Sequence, residues 1–155
     1  MRILLFNFTL LLLLSCSSSQ EGLPETYHEN GIALEGYDPV AYFVDQKAVK
    51  GSADYSCQYE GIVYHLSSNE HKQAFIENPT QYLPAYGGWC ALAVAKKSTK
   101  MKPDPTQWKV QDGKLLLFYD NFLTSMQGGL LKAWNKDPQS NKVLADKNWS
   151  TMKQK

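Results

Sequence analysis

The tightest constraint on this chain is local: residues 55–66 alternate in polarity around Glu60-Gly61. Apolar positions two apart on either side of a Gly-containing pair predict a β-hairpin, with Gly61 supplying the positive φ that a two-residue turn needs. The implied register sets Tyr59 opposite Ile62, Cys57 opposite Tyr64 and Tyr55 opposite Leu66. These six side chains then share one face, because side chains alternate along a strand. His65 falls on the other face with Ser56, Gln58 and Val63. Ser67 to Glu70 comes next with the S-x-x-E spacing of a capping box, which predicts a helix over about 68–77. Asn78-Pro79 ends it. His71 and Phe75 are four apart and share one stripe of that helix.

The remaining segments add to this unit. Residues 31–43 read as an irregular opening segment with a turn at Gly36-Tyr37-Asp38-Pro39. Residues 86–95 are apolar all round, so a helix there is buried. Lys96, Lys97, Lys100 and Lys102 form a solvated exit, contact with anionic headgroups being the alternative. Pro103-Asp104-Pro105 reads as a turn, and residues 107–110 and 114–119 bracket Asp112-Gly113 as a second hairpin. Asp120 caps a helix with apolar positions Leu123, Met126, Leu130 and Trp134. Asp137-Pro138 opens a last helix to about residue 152. The expected fold is α+β, a small single domain in which two short β-hairpins pack with three or four helices. A chain of 155 residues is long enough for one such domain with a real core.

The first fifteen residues read as an address. Arg2 precedes an apolar run from Ile3 to Leu14, interrupted only by Asn7 and Thr9, of signal-peptide length and short of a comfortable bilayer span. Leu13-Leu14-Ser15-Cys16 resembles a bacterial lipobox, which predicts cleavage before Cys16 and a lipid on its thiol; an ordinary signal peptide cleaved nearby is the alternative. Residues 16–30 are then a polar tether. The mature chain is formally neutral, with 15 Lys against 15 acidic residues, because the only Arg leaves with the signal. A neutral chain without Arg is a poor nucleic-acid ligand. The expected setting is the bacterial cell envelope, on the periplasmic or outer face of a membrane, where disulfides are permitted.

Several motifs together resemble the YHS domain, in its stand-alone exported form. They are Gly36-Tyr37-Asp38-Pro39-Val40-Ala41-Tyr42-Phe43, then Tyr59-Glu60-Gly61-Ile62-Val63-Tyr64-His65-Leu66-Ser67-Ser68. Phe75-Ile76-Glu77-Asn78-Pro79-Thr80-Gln81-Tyr82 and Tyr86-Gly87-Gly88-Trp89-Cys90-Ala91 complete them. The resemblance covers residues 31–95. Asp112-Gly113-Lys114-Leu115 and Asn148-Trp149 are similar to the C-terminal portion of that form, giving a YHS-like domain over 31–152. The resemblance implies binding of copper or another heavy metal. In the ATPase-linked members, cysteines occupy three positions held here by Ala41, Ser67 and His71.

Cys57 and Cys90 have three open readings: a disulfide, two buried thiols, or part of a soft-metal site. A disulfide would contribute about 3 kcal/mol through the loop it closes. Thiolate and imidazole suit Cu(I) and Zn(II), and the nearest third donor in this scheme is His71. The candidate metal residues are therefore Cys57, Cys90 and His71, with copper or zinc as the ion. A buried, backbone-bonded imidazole is the plainer reading of His71. His65 is expected on an exposed strand face and His28 in the tether. Met126 is expected in the core. Tyrosines 37, 42, 55, 64, 82 and 86 could line a ligand pocket but more often pack with a satisfied hydroxyl. No G-x-S-x-G, H-E-x-x-H or C-x-x-C motif occurs. The reading is a non-enzymatic envelope lipoprotein that binds metal, or else a structural or protein-interaction module; no catalytic residue is assigned.

Overall fold

The computed structural model describes residues 24–126 and 129–153. The expected signal peptide and lipid-bearing Cys16 lie outside these residues. The described chain is mixed α+β, with seven α-helices, a four-stranded sheet and a two-stranded sheet.

Strands β1 (His28–Glu29), β2 (Ile32–Ala33), β3 (Ser52–Tyr59) and β4 (Ile62–Leu66) form one sheet in the order β1-β2-β4-β3. The Glu60-Gly61 hairpin forms as expected, with Tyr59 opposite Ile62 and Cys57 opposite Tyr64. Both turn residues have positive φ, 50° and 80°, the combination that matches strand twist. Beyond Ser56 the register slips. Leu66 pairs with Ser52 instead of Tyr55, and Tyr55 is left exposed. The bulge bends β3 so that Gly51 lies against His65, where a Cβ would sit 2.4 Å from the His65 carbonyl carbon. The opening segment is more regular than its sequence suggests. β1 and β2 form a tight hairpin around Asn30 and Gly31, whose φ values are 51° and 79°. Residues 24–30, expected as tether, are therefore part of the fold, and β2 pairs in parallel with β4 through Ile32 and Val63.

Helix α1 (Ala41–Val44) follows Pro39, and α2 (Asn69–Glu77) follows the hairpin. The cap of α2 is Ser68, whose side chain accepts from His71 N–H, so Ser67 is released from the capping role expected for it. Short α3 (Pro79–Tyr82) starts at the proline that stops α2. Helix α4 (Ala91–Lys97) is buried from Ala91 to Ala95, as its all-round apolar character requires. The second hairpin is β5 (Asp104–Gln111) with β6 (Lys114–Phe118), so Asp104-Pro105 starts a strand where a turn was expected. Helices α5 (Phe122–Met126), α6 (Gly129–Trp134) and α7 (Pro138–Met152) complete the chain. Asp137 caps α7 by accepting from Ser140 N–H, as the Asp-Pro pair predicts. Met126 does not reach the core: it is 73% exposed, and Leu123 beside it 68%. Two short helices replace the single amphipathic helix expected there, and Trp134 of the second is the residue that goes fully inside.

Two cores share β6 as a wall. Leu115 and Leu117 face Tyr42, Tyr64, Leu66 and Phe75, while Leu116 and Phe118 face Trp89, Cys90, Val94 and Trp134. Strand alternation produces this division directly. It also explains why β6 is buried from Leu115 to Phe118 although its sheet has only two strands.

Candidate functional site

Asp38 is the most heavily bonded buried charge-bearing side chain described. It is fully buried, in the turn before α1. Its Oδ1 accepts from the N–H groups of Val40 (2.8 Å) and Ala41 (3.3 Å). Pro39 has no N–H to satisfy, so the carboxylate caps the first donors that exist. Its Oδ2 accepts from Ser67 N–H (2.8 Å) and Ser67 Oγ (2.6 Å). The third partner of Oδ2 is His71 Nδ1, at 2.6 Å. A carboxylate only accepts, so Nδ1 carries the proton in this contact. One side chain thus ties α1, the end of β4 and the first turn of α2 together.

The arrangement fixes the imidazole. Nδ1 is committed to Asp38, and Ser67 Oγ lies 3.1 Å from the same nitrogen. Nε2 faces outward toward Asp45 Oδ2, at 3.9 Å. The His71 side chain is 14% exposed and that of Asp45 41%. Asp, His and Ser together suggest a hydrolytic triad, but the geometry is wrong for one. In a triad the hydroxyl meets the nitrogen opposite the carboxylate. Here Ser67 and Asp38 meet the same nitrogen, and Ser67 donates to the carboxylate, which leaves its oxygen unactivated. A carboxylate behind Nδ1 is also the support found behind metal-ligating histidines. That would leave Nε2 to bind, with Asp45 as neighbour.

The candidate metal residues are not brought together. Cys57 lies on β3 against the Phe75 core, and Cys90, fully buried, precedes α4 in the Trp134 core. The shared wall, β6, pairs through Leu117 with the Cys90 backbone. Both cysteines are free thiols, so the disulfide reading is not met. Burial raises the pKa of each above the ordinary thiol value; nearby Lys72 partly offsets this at Cys57, and backbone N–H groups do so at Cys90. Neither environment favours the thiolate that binds metal or attacks an electrophile. Among the described residues, no group of three or more His, Cys, Asp or Glu side chains is placed to hold a metal ion.

The other singled-out residues resolve individually. His65 is half-buried, its Nδ1 within 3.4 Å of where a Gly36 Cβ would be. His28 sits on β1, with Nδ1 buried and lacking a hydrogen-bond partner among the described residues. The tyrosines pack more than they line a pocket. Tyr64 and Phe75 lie 4.9 Å apart between ring centres, and Tyr42 meets Trp108 edge-on at 5.1 Å. Tyr42 Oη donates to Pro105 O and Tyr86 Oη to Asp146, so these hydroxyls are satisfied. Gly87 and Gly88 both have positive φ, which explains the glycine pair in structural terms. The residue that sequence reading missed is Asp38, seen there only as part of a turn. Its signal was the Asp-Pro pair itself: an Asp before a Pro-started helical turn caps that turn.

The chain matches no family model, no curated protein and no solved structure.

Proposed function

We propose that this chain is a non-enzymatic, YHS-like module held at a bacterial envelope membrane through a lipidated Cys16. In this reading it acts by presenting a surface, without a bound metal. The observation that carries this reading is the separation of Cys57 and Cys90 into two cores on either side of β6. A soft-metal site needs three or four converging donors. Among the described residues, His71 Nε2 has Asp45 as its neighbour at 3.9 Å and no third donor converges with them, so these residues do not fit a copper or zinc centre. The positions that the resemblance associates with metal-binding cysteines, Ala41, Ser67 and His71, instead all donate to Asp38. A hydrogen-bonded hub in that place stabilises the junction of three segments and supports a structural role for it. Among the described residues, no helix is long and apolar enough to cross a membrane.

Two measurements test the reading. Titration of the reduced protein with Cu(I) and Zn(II) is expected to show no stoichiometric binding. A tight one-to-one complex that disappears in Cys90→Ser would overturn the metal-free reading. The intact mass of the mature N-terminus is expected to carry acyl chains on Cys16, and an unmodified terminus would remove the anchor.

A further inference from the structure

The described chain begins at Pro24, which has a defined place. Trp89 Nε1 donates to the carbonyls of Pro24 (3.2 Å) and Glu25 (3.0 Å). Tyr27 N–H donates to Gly87 O at 2.8 Å. A Cβ on Gly87 would lie 2.1 Å from Glu25 O, so the backbone here is seated directly on the glycine. Pro24 is thus fixed at the corner beside Trp89, where the preceding chain joins it.

Lysines collect at that same corner. Lys100 Nζ lies 6.0 Å from the ring centres of both Trp89 and Trp149. Lys153 pairs with Glu25 at 3.4 Å. Lys96 and Lys97 end α4, whose Val94 and Ala95 carbonyls accept from Asn148 of α7, next to Trp149. Both are exposed, and among the described residues neither is in an ion pair. Beside them a small apolar groove of about 120 Å³ is walled by Leu92, Met101 and Leu130. Elsewhere the balance reverses: residues 41–77 carry Asp45, Asp54, Glu60, Glu70 and Glu77 against Lys47, Lys50 and Lys72. A formally neutral mature chain is thus polarised, with its positive corner where the tether enters.

We infer that this corner is a docking face for an anionic phospholipid surface, that of the membrane carrying the anchor. The inference rests on the lipid-anchor reading above. Even fully extended, residues 16–23 reach only about 30 Å, which keeps the corner close to the headgroups. A short tether turns weak attraction into an intramolecular equilibrium. Each lysine near an anionic surface shifts that equilibrium about fivefold toward contact. The apolar groove rimmed by Lys96 and Lys97 adds the mixed character that suits the interface. The two carboxylates near this corner, Glu25 and Asp146, each lie beside a lysine, Lys153 at 3.4 Å and Lys142 at 2.8 Å, so the attraction rests on Lys96 and Lys97.

The test is an amine-acylation footprint of the mature protein in vesicles, read residue by residue by mass spectrometry. One set of vesicles is phosphatidylcholine, and the other is equal parts phosphatidylcholine and phosphatidylglycerol. Lys96, Lys97, Lys100 and Lys153 are expected to be labelled several-fold less in the anionic vesicles, while Lys47 and Lys72 are unchanged. High salt should erase the difference. In Lys96→Gln/Lys97→Gln protein, protection of Lys153 should weaken by more than tenfold in the docked-to-undocked ratio. Protein retained by both vesicle types with equal labelling keeps the anchor and overturns the docking face. Protein lost from neutral vesicles but protected by anionic ones keeps the docking face and overturns the anchor. Neither retention nor protection overturns both.

Discussion

Asp38→Asn changes almost nothing in size and replaces one acceptor oxygen by an NH2 group. If the amide nitrogen takes the Oδ1 place, it confronts the N–H groups of Val40 and Ala41, at 2.8 and 3.3 Å. If it takes the Oδ2 place, it confronts Ser67 N–H at 2.8 Å. Ser67 Oγ can rotate and accept, and His71 can move its proton to Nε2. A backbone N–H can do neither. The second placement is therefore preferred, with one buried N–H left unpaired at about 1–3 kcal/mol. The surviving contacts also lose their charge-assisted strength, worth about another 1–2 kcal/mol together. The expected loss is about 2–5 kcal/mol, a large share of the ~5–15 kcal/mol typical of a domain. Urea unfolding followed by tryptophan fluorescence measures it, with an unchanged m-value as the sign that only stability moved. A double-mutant cycle with His71→Ala should give a coupling of about 1–3 kcal/mol. A loss under about 1 kcal/mol, or additivity with His71→Ala, would refute the claim that Asp38 holds the three segments together.

Three further outcomes rest on the same packing. Gly51→Ala should cost at least about 1–3 kcal/mol in urea unfolding, because its Cβ would sit 2.4 Å from the His65 carbonyl. Gly61→Ala, with open space but a φ of 80°, should cost only about 1 kcal/mol, and a reversed ranking would count against the close approach. Stability should fall as pH rises above about 10. Burial is the main cause pushing Tyr64 up to about 12, and it also raises Tyr27, Tyr42 and Tyr86. The folded state then keeps protons that the unfolded chain has released, so the contribution is whole below pH 10 and lost between about 10 and 12. For Tyr64 this is about 2–3 kcal/mol, and a flat stability profile across that range would contradict the burial. Native thiol counting with a disulfide reagent should find Cys57 reacting slowly and Cys90 essentially not at all, with both reacting in denaturant. Rapid reaction of Cys90 would contradict its place in the core.

Part of this fold is legible in the sequence, and the rest is concealed for physical reasons. The Glu60-Gly61 and Asp112-Gly113 hairpins, the stop at Asn78-Pro79 and the Asp137-Pro138 start are local events written in turn and cap chemistry, and they form as read. Asn30-Gly31 carries the same kind of signal, obscured by the polar residues around it. The displaced pairing of Leu66 arises from a bulge, which depends on how closely Gly51 and Gly36 approach His65 and not on local pattern. Ser67 and Ser68 are chemically equivalent as caps. Only the distant Asp38, which recruits Ser67, decides between them. Whether Cys57, His71 and Cys90 converge is a matter of tertiary placement. Alternation along β6 governs that placement, and no local motif reports it.

The wall that β6 provides bears on where this protein could be cut or recombined. Residues 31–95 contain the motifs that carry the resemblance, yet the Tyr64–Phe75 core they build is open on the side that Leu115 and Leu117 close. A fragment ending at residue 95 would expose that side to water and lose the partner strand of Pro84 and Cys90 as well. The stretch that carries the motifs is thus smaller than the packed unit. Insertions or fusions should be tolerated at the solvent-facing Asp112-Gly113 tip of the second hairpin, whereas a boundary drawn at the end of the motif would divide a single cooperative object.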